Sequence, residues 1–345
     1  EHSRETMYHS IRLLARCGLH RCGLIRPVLA SAAAAFTLAC AGTASAAQDT
    51  AAWPTRPITW VVGWPPGGSA DSVTRVLAKH LGERLGQSVV VENRPGASGA
   101  IGLNRAASAE PDGNTVVLVP GPVITNTRMP EIGKELAAVT ELARGPMVLV
   151  GTTARDMPKD VKSLFAAVKA APDRYDYTSS GNGTSQHLAG ELIKQQAGLK
   201  MTHIPYKGGS QAALDIISGQ VPLGVLGITS ILPHVQAGKM RAYAVTTASR
   251  SASLPDTPTL GESVLPGFDA SQWFVMAVPK GVPDDRVQRL NAAVGEILKL
   301  PDVKAAFAAV GVDPSSASPE DTARFVIGDQ ARWRNLAVKS NLPLN

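Results

Sequence analysis

The chain has little cysteine, few aromatic residues and almost no excess charge outside its N-terminal segment. Only three of the 345 residues are cysteines, and all of them lie within the first 46 residues: Cys17, Cys22 and Cys40. Residues 47–345 therefore have no thiol for a disulfide, a cysteine nucleophile or a thiolate metal site. A chain of about 300 residues buries enough apolar surface to fold without such cross-links.

Basic residues exceed acidic residues only slightly. The formal net charge of +6 includes five arginines and two glutamates from residues 1–46, which leaves 29 basic and 26 acidic side chains in the rest. No basic cluster with interleaved aromatic residues is present, so we do not expect nucleic acid as a partner. Beyond the N-terminal segment no apolar run reaches the ~20 residues of a membrane helix, so we expect the mature protein to be soluble.

The first 46 residues have the organisation of a secretory signal peptide. Residues 1–6 precede Met7 and are interpreted as an upstream remnant, and a region with four arginines follows. Residues 28–39 form an apolar stretch within the ~7–15 residues typical of such signals. Ala44-Ser45-Ala46 supplies the small residues that a signal peptidase requires, so cleavage is expected after Ala46.

The exported protein is expected in the periplasm. A lipid anchor on Cys40 is the alternative to free release. However, Thr37-Leu38-Ala39-Cys40 lacks the leucine that usually stands three residues before a lipoprotein cysteine. We therefore expect no anchor at Cys40.

Trp64-Pro65-Pro66-Gly67-Gly68-Ser69-Ala70-Asp71 joins a predicted buried strand, 58–62, to a predicted amphipathic helix. Apolar residues then recur at helical spacing on one face, at Val73, Val76, Leu77, Leu81 and Leu85. Rigid Pro-Pro, flexible Gly-Gly, and Ser and Asp at a helix start are typical of a loop that presents backbone N–H groups to an anion. We predict a carboxylate-binding loop, with Ser69 as N-cap. Asp71 has two candidate roles, contact with the ligand or stabilisation of the first helical turn.

Strands and helices alternate from Trp53 onward, which predicts an α/β fold. A strand ends in a Gly/Ser-rich loop before a helix at three places: Gly67, Gly181 and Gly208. Ligands of open α/β sheets bind beyond the carboxyl ends of strands, and loops from two separate segments suit a cleft between two domains. We predict that 53–152 and 275–345 form domain 1, and that 153–274 forms domain 2.

Ten short runs, in order from Trp53 to the C-terminus, carry a family resemblance. They are Trp53–Ile58, Pro65–Asp71, Val89–Gly96, Pro111–Gly113, Gly181–Leu188, His203–Gly208, Leu232–His234, Ala237–Lys239, Leu254–Thr259 and Pro279–Pro283. With them the chain resembles the Bug-type periplasmic receptors of tripartite tricarboxylate transporters. The resemblance implies a two-domain type II periplasmic binding protein fold that closes on a small organic carboxylate. It further implies delivery of that ligand to the integral membrane subunits of the transporter.

The resemblance also implies which residues bind the ligand. The carboxylate in such proteins is held largely by backbone amides and ordered waters. Carried over to this sequence, the first-domain residues are Gly68, Ser69 and Asp71. The second-domain residues are Ser179, Gly181, Thr184, Ser185, His187 and Tyr206. His187 could donate to the ligand or only support its neighbours, and Tyr206 could line the cleft or belong to the core.

One segment departs from the family's pattern. Where many relatives have Phe-Asp-Asn-Leu-Pro, this chain has Val225-Leu226-Gly227-Ile228-Thr229. The missing Asp, and Gly227 in place of Asn, remove polar groups from the expected cleft wall. This disfavours amino-acid ligands and favours an apolar or aromatic carboxylate over them, with di- and tricarboxylates also open.

Three other functions can be considered. Gly96-x-x-Gly99-x-x-Gly102 has the wrong spacing for a dinucleotide loop and follows Pro95. Ser69, His187 and Asp71 are the best available serine-hydrolase triad, but Gly-x-Ser-x-Gly is absent. The same binding protein could present its ligand to a sensor rather than a transporter. We predict a monomeric binding protein that is not an enzyme and has no cofactor and no metal, since no histidine or carboxylate pair has metal-site spacing.

Overall fold

Ten strands form one continuous sheet in the part of the chain described by the computed structural model, residues 53–125, 128–339 and 341. Strands β1 to β10 are Ile58–Val62, Val89–Asn93, Thr115–Gly121, Leu136–Thr152, Tyr177–Ser179, His203–Pro205, Leu223–Gly227, Met240–Val245, Ser271–Pro279 and Asp313–Pro314. The sheet order is β2-β1-β3-β9-β4-β7-β5-β6, and β8 and β10 also pair with β4. The predicted signal peptide, its cleavage site and Cys40 lie outside the described residues.

Ten α-helices of the described residues pack against this sheet. Helices α1 to α10 are Ser69–Leu85, Ala100–Ala107, Val161–Ala170, Ser185–Ala197, Gly209–Ile217, Ile228–Gln236, Leu260–Ser263, Asp284–Ile297, Pro301–Ala309 and Pro319–Lys339. Short 3₁₀ turns occur at Ala97–Gly99 and Pro172–Arg174. None of these helices combines the length and the apolar character needed to cross a bilayer.

Two groups of parallel strands are joined by two long antiparallel strands. In one group β1 pairs with β2 and β3, and in the other β5 pairs with β6 and β7. Strand β4 pairs with β9 along its first part and with β7 and β8 along its last part. The sequence suggests separate elements at 136–143 and 147–152, but Pro146 does not interrupt β4. The domain limits at 152 and 274 stay a prediction.

The apolar stripe predicted after Asp71 is confirmed and fixes helix α1 on the sheet. Val73, Leu77, Leu81 and Leu85 are buried and Val76 is partly buried. Gly86, in the left-handed conformation, ends the helix. Because four buried apolar side chains anchor α1, its N-terminus and the preceding loop have a fixed position.

Three helix starts differ from the predictions. Gly68, not Ser69, is the N-cap of α1, and Ser69 is the first helical residue. The sequence predicts a helix from His187, but helix α4 begins at Ser185 because the Thr184 hydroxyl caps it. The sequence predicts a strand through Ile228, but the strand ends at Gly227 and Ile228 opens α6. Periodicity cannot separate a buried strand from the start of a buried helix in so short a run.

Candidate functional site

The loops at the carboxyl ends of the two parallel groups face each other. The first group contributes loops 63–68, 94–99 and 122–125, which follow β1, β2 and β3. The second contributes loops 180–184 and 206–208, which follow β5 and β6, together with Gly227 at the end of β7. We call the space between these two sets the cleft. It has the position at which open α/β sheets bind ligands.

Hydrogen bonds and close contacts join the two sides of the cleft. The Ser210 hydroxyl donates to the Pro66 carbonyl at 3.2 Å, and the Ile124 N–H donates to the Gly183 carbonyl at 2.7 Å. A Cβ on Gly208 would lie 2.7 Å from Pro65 Cδ, so these loops are in contact. The three glycine loops predicted from the sequence are therefore brought together, and loop 122–125, which was not predicted, joins them.

Three polar side chains meet at Gly227. A Cβ on Gly227 would lie 2.5 Å from both Ser69 Oγ and Gln272 Oε1, and 3.3 Å from Gln186 Nε2. We call Ser69, Gln186 and Gln272 the polar cluster. Gln186 Oε1 accepts the Ser180 N–H at 3.0 Å, whereas the Ser69 hydroxyl, in a residue only 7 % exposed, has no partner in the described structure. A buried unpaired hydroxyl costs ~1–3 kcal/mol, so a ligand oxygen placed here would be stabilised.

Two members of the polar cluster are not predicted from the sequence. Gln186 stands between the predicted Ser185 and His187, in the first turn of α4. Gln272 is the second residue of β9 and precedes seven apolar, buried residues of that strand, 273–279. A polar side chain at the start of such a strand was the available signal, because a buried amide needs a partner.

Asp71 holds the first loop in place. Its Oδ2 accepts the Gly67 N–H and Arg75 Nε, each at 2.9 Å, and its Oδ1 accepts Asn93 Nδ2 at 2.9 Å. Asn93 Nδ2 also donates to the Trp64 carbonyl at 2.9 Å. Burial opposes ionisation, but the hydrogen bonds from Arg75, Gly67 and Asn93 outweigh it and lower the pKa of Asp71. The carboxylate thus ties both ends of the loop to α1 and β2.

Asp71→Asn is expected to destabilise the protein by roughly 1–3 kcal/mol, because one charge-assisted acceptor is replaced by a donor that faces donors. Urea unfolding at pH 7 measures this. Asp285→Asn, in the exposed first turn of α8, is the matched control. It removes only the interaction with the helix dipole, worth ~0.3–1 kcal/mol. Equal losses of unfolding free energy in the two variants would mean that Asp71 acts only through the helix dipole.

Loop 180–184 is held by its own polar side chains. The Ser179 hydroxyl contacts His203 Nε2 at 2.8 Å, and the Thr184 hydroxyl donates to the Gly181 carbonyl at 2.8 Å. Thr184 also caps α4 by accepting the His187 N–H at 3.4 Å, and Ser185 is buried beside it. Gly181 and Gly183 have φ of +134° and +70°, a region that favours glycine.

His187 and Tyr206 also direct their polar atoms toward protein groups. His187 Nδ1 accepts the Gly183 N–H at 2.9 Å, and burial lowers the pKa of His187 to about 4. The Tyr206 hydroxyl donates to the Asp215 carboxylate on α5, and burial together with this bond raises the pKa of Tyr206 to about 12. The contacts in the structure are therefore those of residues that support the loops.

The wall at 225–229 differs from the expectation of a cleft wall without polar groups. Leu226 and Ile228 are fully buried in the hydrophobic core, and the Ile228 side chain packs at Gly311. Gly227 alone of these three lies at the polar cluster. Gln186 and Gln272, from other parts of the chain, supply polar groups at Gly227.

The candidate hydrolase triad is not assembled among the described residues. Ser69 has no hydrogen-bond partner, His187 Nδ1 is occupied by Gly183, and Asp71 is bound to Arg75 and Asn93. A nucleophilic serine requires a base within hydrogen-bond reach, itself oriented by a third group. In the same residues no cluster of three or more histidine and carboxylate side chains is arranged to hold a metal ion.

A cavity of about 260 Å³ adjoins loop 122–125 on the side of α10. Its basic side chains, Arg128, Lys134 and Arg334, form ion pairs with Glu131 and Glu135. We favour the cleft as the ligand site because its buried Ser69 hydroxyl is unpaired, whereas the cations of this cavity already have carboxylate partners.

Comparison with known proteins finds similar sequences and similar structures. The family model described as the tripartite tricarboxylate transporter family receptor matches residues 73–342. The chain is 34 % identical to protein BugT of Bordetella pertussis over 299 residues, which cover 85 % of this chain and 91 % of BugT.

Two similar structures were solved with a ligand. One is a protein of R. palustris with adipate, with 32 % identity, a TM-score of 0.80, and coverage of 84 % of this chain and 98 % of that one. The other is MatC from Rhodopseudomonas palustris with bound malate, with 27 % identity, a TM-score of 0.77, and coverage of 82 % and 99 %. The α/β fold is that of periplasmic binding proteins. The chain belongs to the tripartite tricarboxylate transporter receptor family, whose members are periplasmic solute-binding proteins and not enzymes.

Proposed function

We propose that the protein captures a small organic carboxylate in the cleft and delivers it to the membrane subunits of a tripartite tricarboxylate transporter. The observation that carries the proposal is the buried, unpartnered Ser69 hydroxyl, which lies with Gln186 and Gln272 where loops from both strand groups meet. A carboxylate oxygen is an acceptor to which the Ser69 hydroxyl and the Gln186 side-chain nitrogen could both donate, whereas Gln272 presents its oxygen at this point.

Helix geometry supports an anionic ligand. Helices α1, α4, α5 and α6 all begin at the cleft, at Ser69, Ser185, Gly209 and Ile228. The first N–H groups of a helix have no intrahelical partner and carry partial positive charge, so helix starts stabilise anions. A carboxylate could thus be bound by backbone donors and neutral side chains, without a direct ion pair.

Aliphatic dicarboxylates are the ligand class we favour. A cleft wall without polar groups would favour an apolar or aromatic acid, but Gln186 and Gln272 supply polar groups at Gly227. The related proteins solved with adipate and malate bind acids of the dicarboxylate class. Tricarboxylates and aromatic acids are the competing classes in the test.

Hinge closure is the proposed mechanism. The contacts of Ser210 with Pro66 and of Ile124 with Gly183 join the two sides of the cleft. A ligand that contacts both sides would favour the closed state over an open one, by the difference in its affinity for the two states. The membrane subunits would then recognise the closed form.

A thermal-shift screen with dicarboxylates, tricarboxylates, aromatic acids, amino acids and neutral sugars tests the ligand class. A dicarboxylate at 100 times its Kd should stabilise the native state by ~2.7 kcal/mol, a rise in Tm of roughly 5 °C for a chain of this size. A shift with a sugar and with none of the acids would contradict carboxylate capture.

Delivery is tested by uptake of the identified acid in cells that express the membrane subunit pair encoded nearest to this protein. Uptake should require the binding protein and should be lost when either membrane subunit is deleted. Uptake that is independent of the binding protein, together with ligand-dependent binding to a sensor ectodomain, would favour sensing over transport.

A further inference from the structure

Two histidines stack directly behind loop 180–184. The rings of His187 on α4 and His203 on β6 have centroids 4.0 Å apart and planes 20° from parallel. His187 contacts the loop directly, since its Nδ1 accepts the Gly183 N–H at 2.9 Å. His203 acts through Ser179, the last residue of β5, because its Nε2 contacts the Ser179 hydroxyl at 2.8 Å and that hydroxyl lies 3.2 Å from both the nitrogen and the carbonyl oxygen of Gly181. His203, at the start of a short strand, is thus connected to loop 180–184 through the Ser179 hydroxyl.

The groups around the pair give little stabilisation to a positive charge on either ring. The ionisable groups that face it are Tyr177 from β5 and Glu191 and Lys194 from α4. Glu191 Oε1 already accepts the Tyr177 hydroxyl at 2.6 Å and Lys194 Nζ at 2.7 Å. It lies 3.9 Å from His187 Nε2, beyond a normal hydrogen bond.

We propose that His187 and His203 act together as a neutral positioning unit that fixes the backbone of loop 180–184, and that protonation of the pair releases this loop. The role of the unit in ligand capture rests on the proposed function. Its effect on the loop does not.

Protonation would act through two physical effects. His187 Nδ1 can accept the Gly183 N–H only while it carries no proton, so protonation there breaks that bond. Two stacked imidazolium rings 4.0 Å apart would also repel each other in a buried site. Burial lowers the pKa of His187 to about 4 and that of His203 to about 3, so both rings are neutral at ordinary pH.

Loop 180–184 bears directly on the polar cluster. Its Ser180 N–H donates to Gln186 Oε1, which orients the amide whose nitrogen lies toward Gly227. Its Gly183 carbonyl accepts the Ile124 N–H from the other side of the cleft. Release of the loop would therefore disturb one side-chain donor and one contact across the cleft.

Isosteric substitutions test the positioning role without any ligand. An Asn side chain places its Oδ1 near the position of a histidine Nδ1, and a Gln side chain places its amide near the position of Nε2. We expect His187→Asn to keep the protection of the Gly183 amide against hydrogen exchange, and His187→Gln to lose it at least tenfold. His203→Gln should likewise keep the protection of loop 180–184, and His203→Asn should lose it.

The pattern of rescue distinguishes positioning from bulk packing, because each histidine is replaced by both amides. Loss of protection in all four variants, or in none, would overturn the proposal. Each variant is compared with wild type by circular dichroism and Tm, so that global unfolding is recognised.

A titration of wild-type protein keeps the proposal testable even if variants fold poorly. The imidazole ¹⁵N shifts of both residues should report neutral rings down to about pH 5. Below that, ring protonation and loss of the Gly183 amide protection, corrected for intrinsic exchange, should coincide. Rings that are charged at pH 7, or protonation that leaves the loop protected, would refute the inference. Because no arm uses a ligand, failure here leaves carboxylate capture standing, and failure of the acid screen leaves this inference standing.

Discussion

Gly227→Ala is expected to lower carboxylate affinity by at least tenfold while the protein remains folded. The new Cβ would lie 2.5 Å from Ser69 Oγ and Gln272 Oε1, which are the ends of side chains that can rotate away. The backbone at Gly227, with φ −63° and ψ 136°, suits alanine without strain. The cost is therefore the displacement of the polar cluster. Each hydrogen bond lost to a charged ligand is worth ~1.5–3 kcal/mol, or roughly 10- to 150-fold in Kd.

Isothermal titration with the acid that gives the largest thermal shift in wild type measures the change, and Tm reports folding. Gly295→Ala is the matched control, since Gly295 lies within helix α8 and a Cβ there meets open space. It should leave affinity unchanged and add ~0.5–1 kcal/mol of stability through helix propensity. Wild-type affinity in a folded Gly227→Ala variant would place the ligand away from the polar cluster.

The loops of the site could be found from the sequence because their chemistry is local. Pro65-Pro66-Gly67-Gly68 between a strand and an amphipathic helix determines its own backbone, and Gly181 and Gly183 act in the same way after β5. The error at Ser69 was also local. An extended Gly68 serves as N-cap, so the serine enters the first helical turn with its hydroxyl free for the cleft.

The meeting of the polar cluster could not be found in this way. Ser69, Gln186 and Gln272 come from α1, α4 and β9, and only the sheet order places them together. Loop 122–125 reaches the cleft because β3 lies between β1 and β9 and parallel to β1. Such pairings depend on contacts between distant segments, which short patterns do not encode. The sequence therefore indicates which segments meet at the cleft, but not which side chains form the polar cluster.

The sequence also does not show whether a polar residue of a loop contacts the ligand or supports the loop. A charged or hydroxyl side chain beside a glycine loop suggests a ligand contact. In the structure Asp71, Thr184 and His187 instead use their polar atoms to fix the loop backbone. This arrangement suits a site that binds an anion through backbone donors, because a fixed loop loses less entropy when the ligand binds.

Acidification is expected to destabilise the protein by several kcal/mol between about pH 6.5 and about pH 4, through His187 and His203. Both have a folded-state pKa below the ordinary 6.5, at about 4 and about 3, because burial disfavours their charged forms. Below pH 6.5 the unfolded chain therefore binds protons that the native state does not. The contribution of the two histidines to the free energy of unfolding is fully present above pH 6.5. It decreases as the pH falls, until the native rings are protonated. Lowering a pKa by one corresponds to about 1.4 kcal/mol, so each histidine contributes roughly 3 kcal/mol or more by pH 4.

Urea unfolding at pH 7.5, 6, 5 and 4 measures this loss, and the double variant H187N/H203Q isolates it. Carboxylates also titrate near the lower end of this pH range. The decisive quantity is therefore the difference between wild type and the double variant in the slope of unfolding free energy against pH. The variant lacks both protonation sites, so its free energy of unfolding should fall less steeply as the pH is lowered. The difference in slope should be up to ~2.7 kcal/mol per pH unit, the value for two protons. Equal slopes in wild type and H187N/H203Q would mean that the stacked rings are not held neutral, and the physical basis for release of loop 180–184 would be lost.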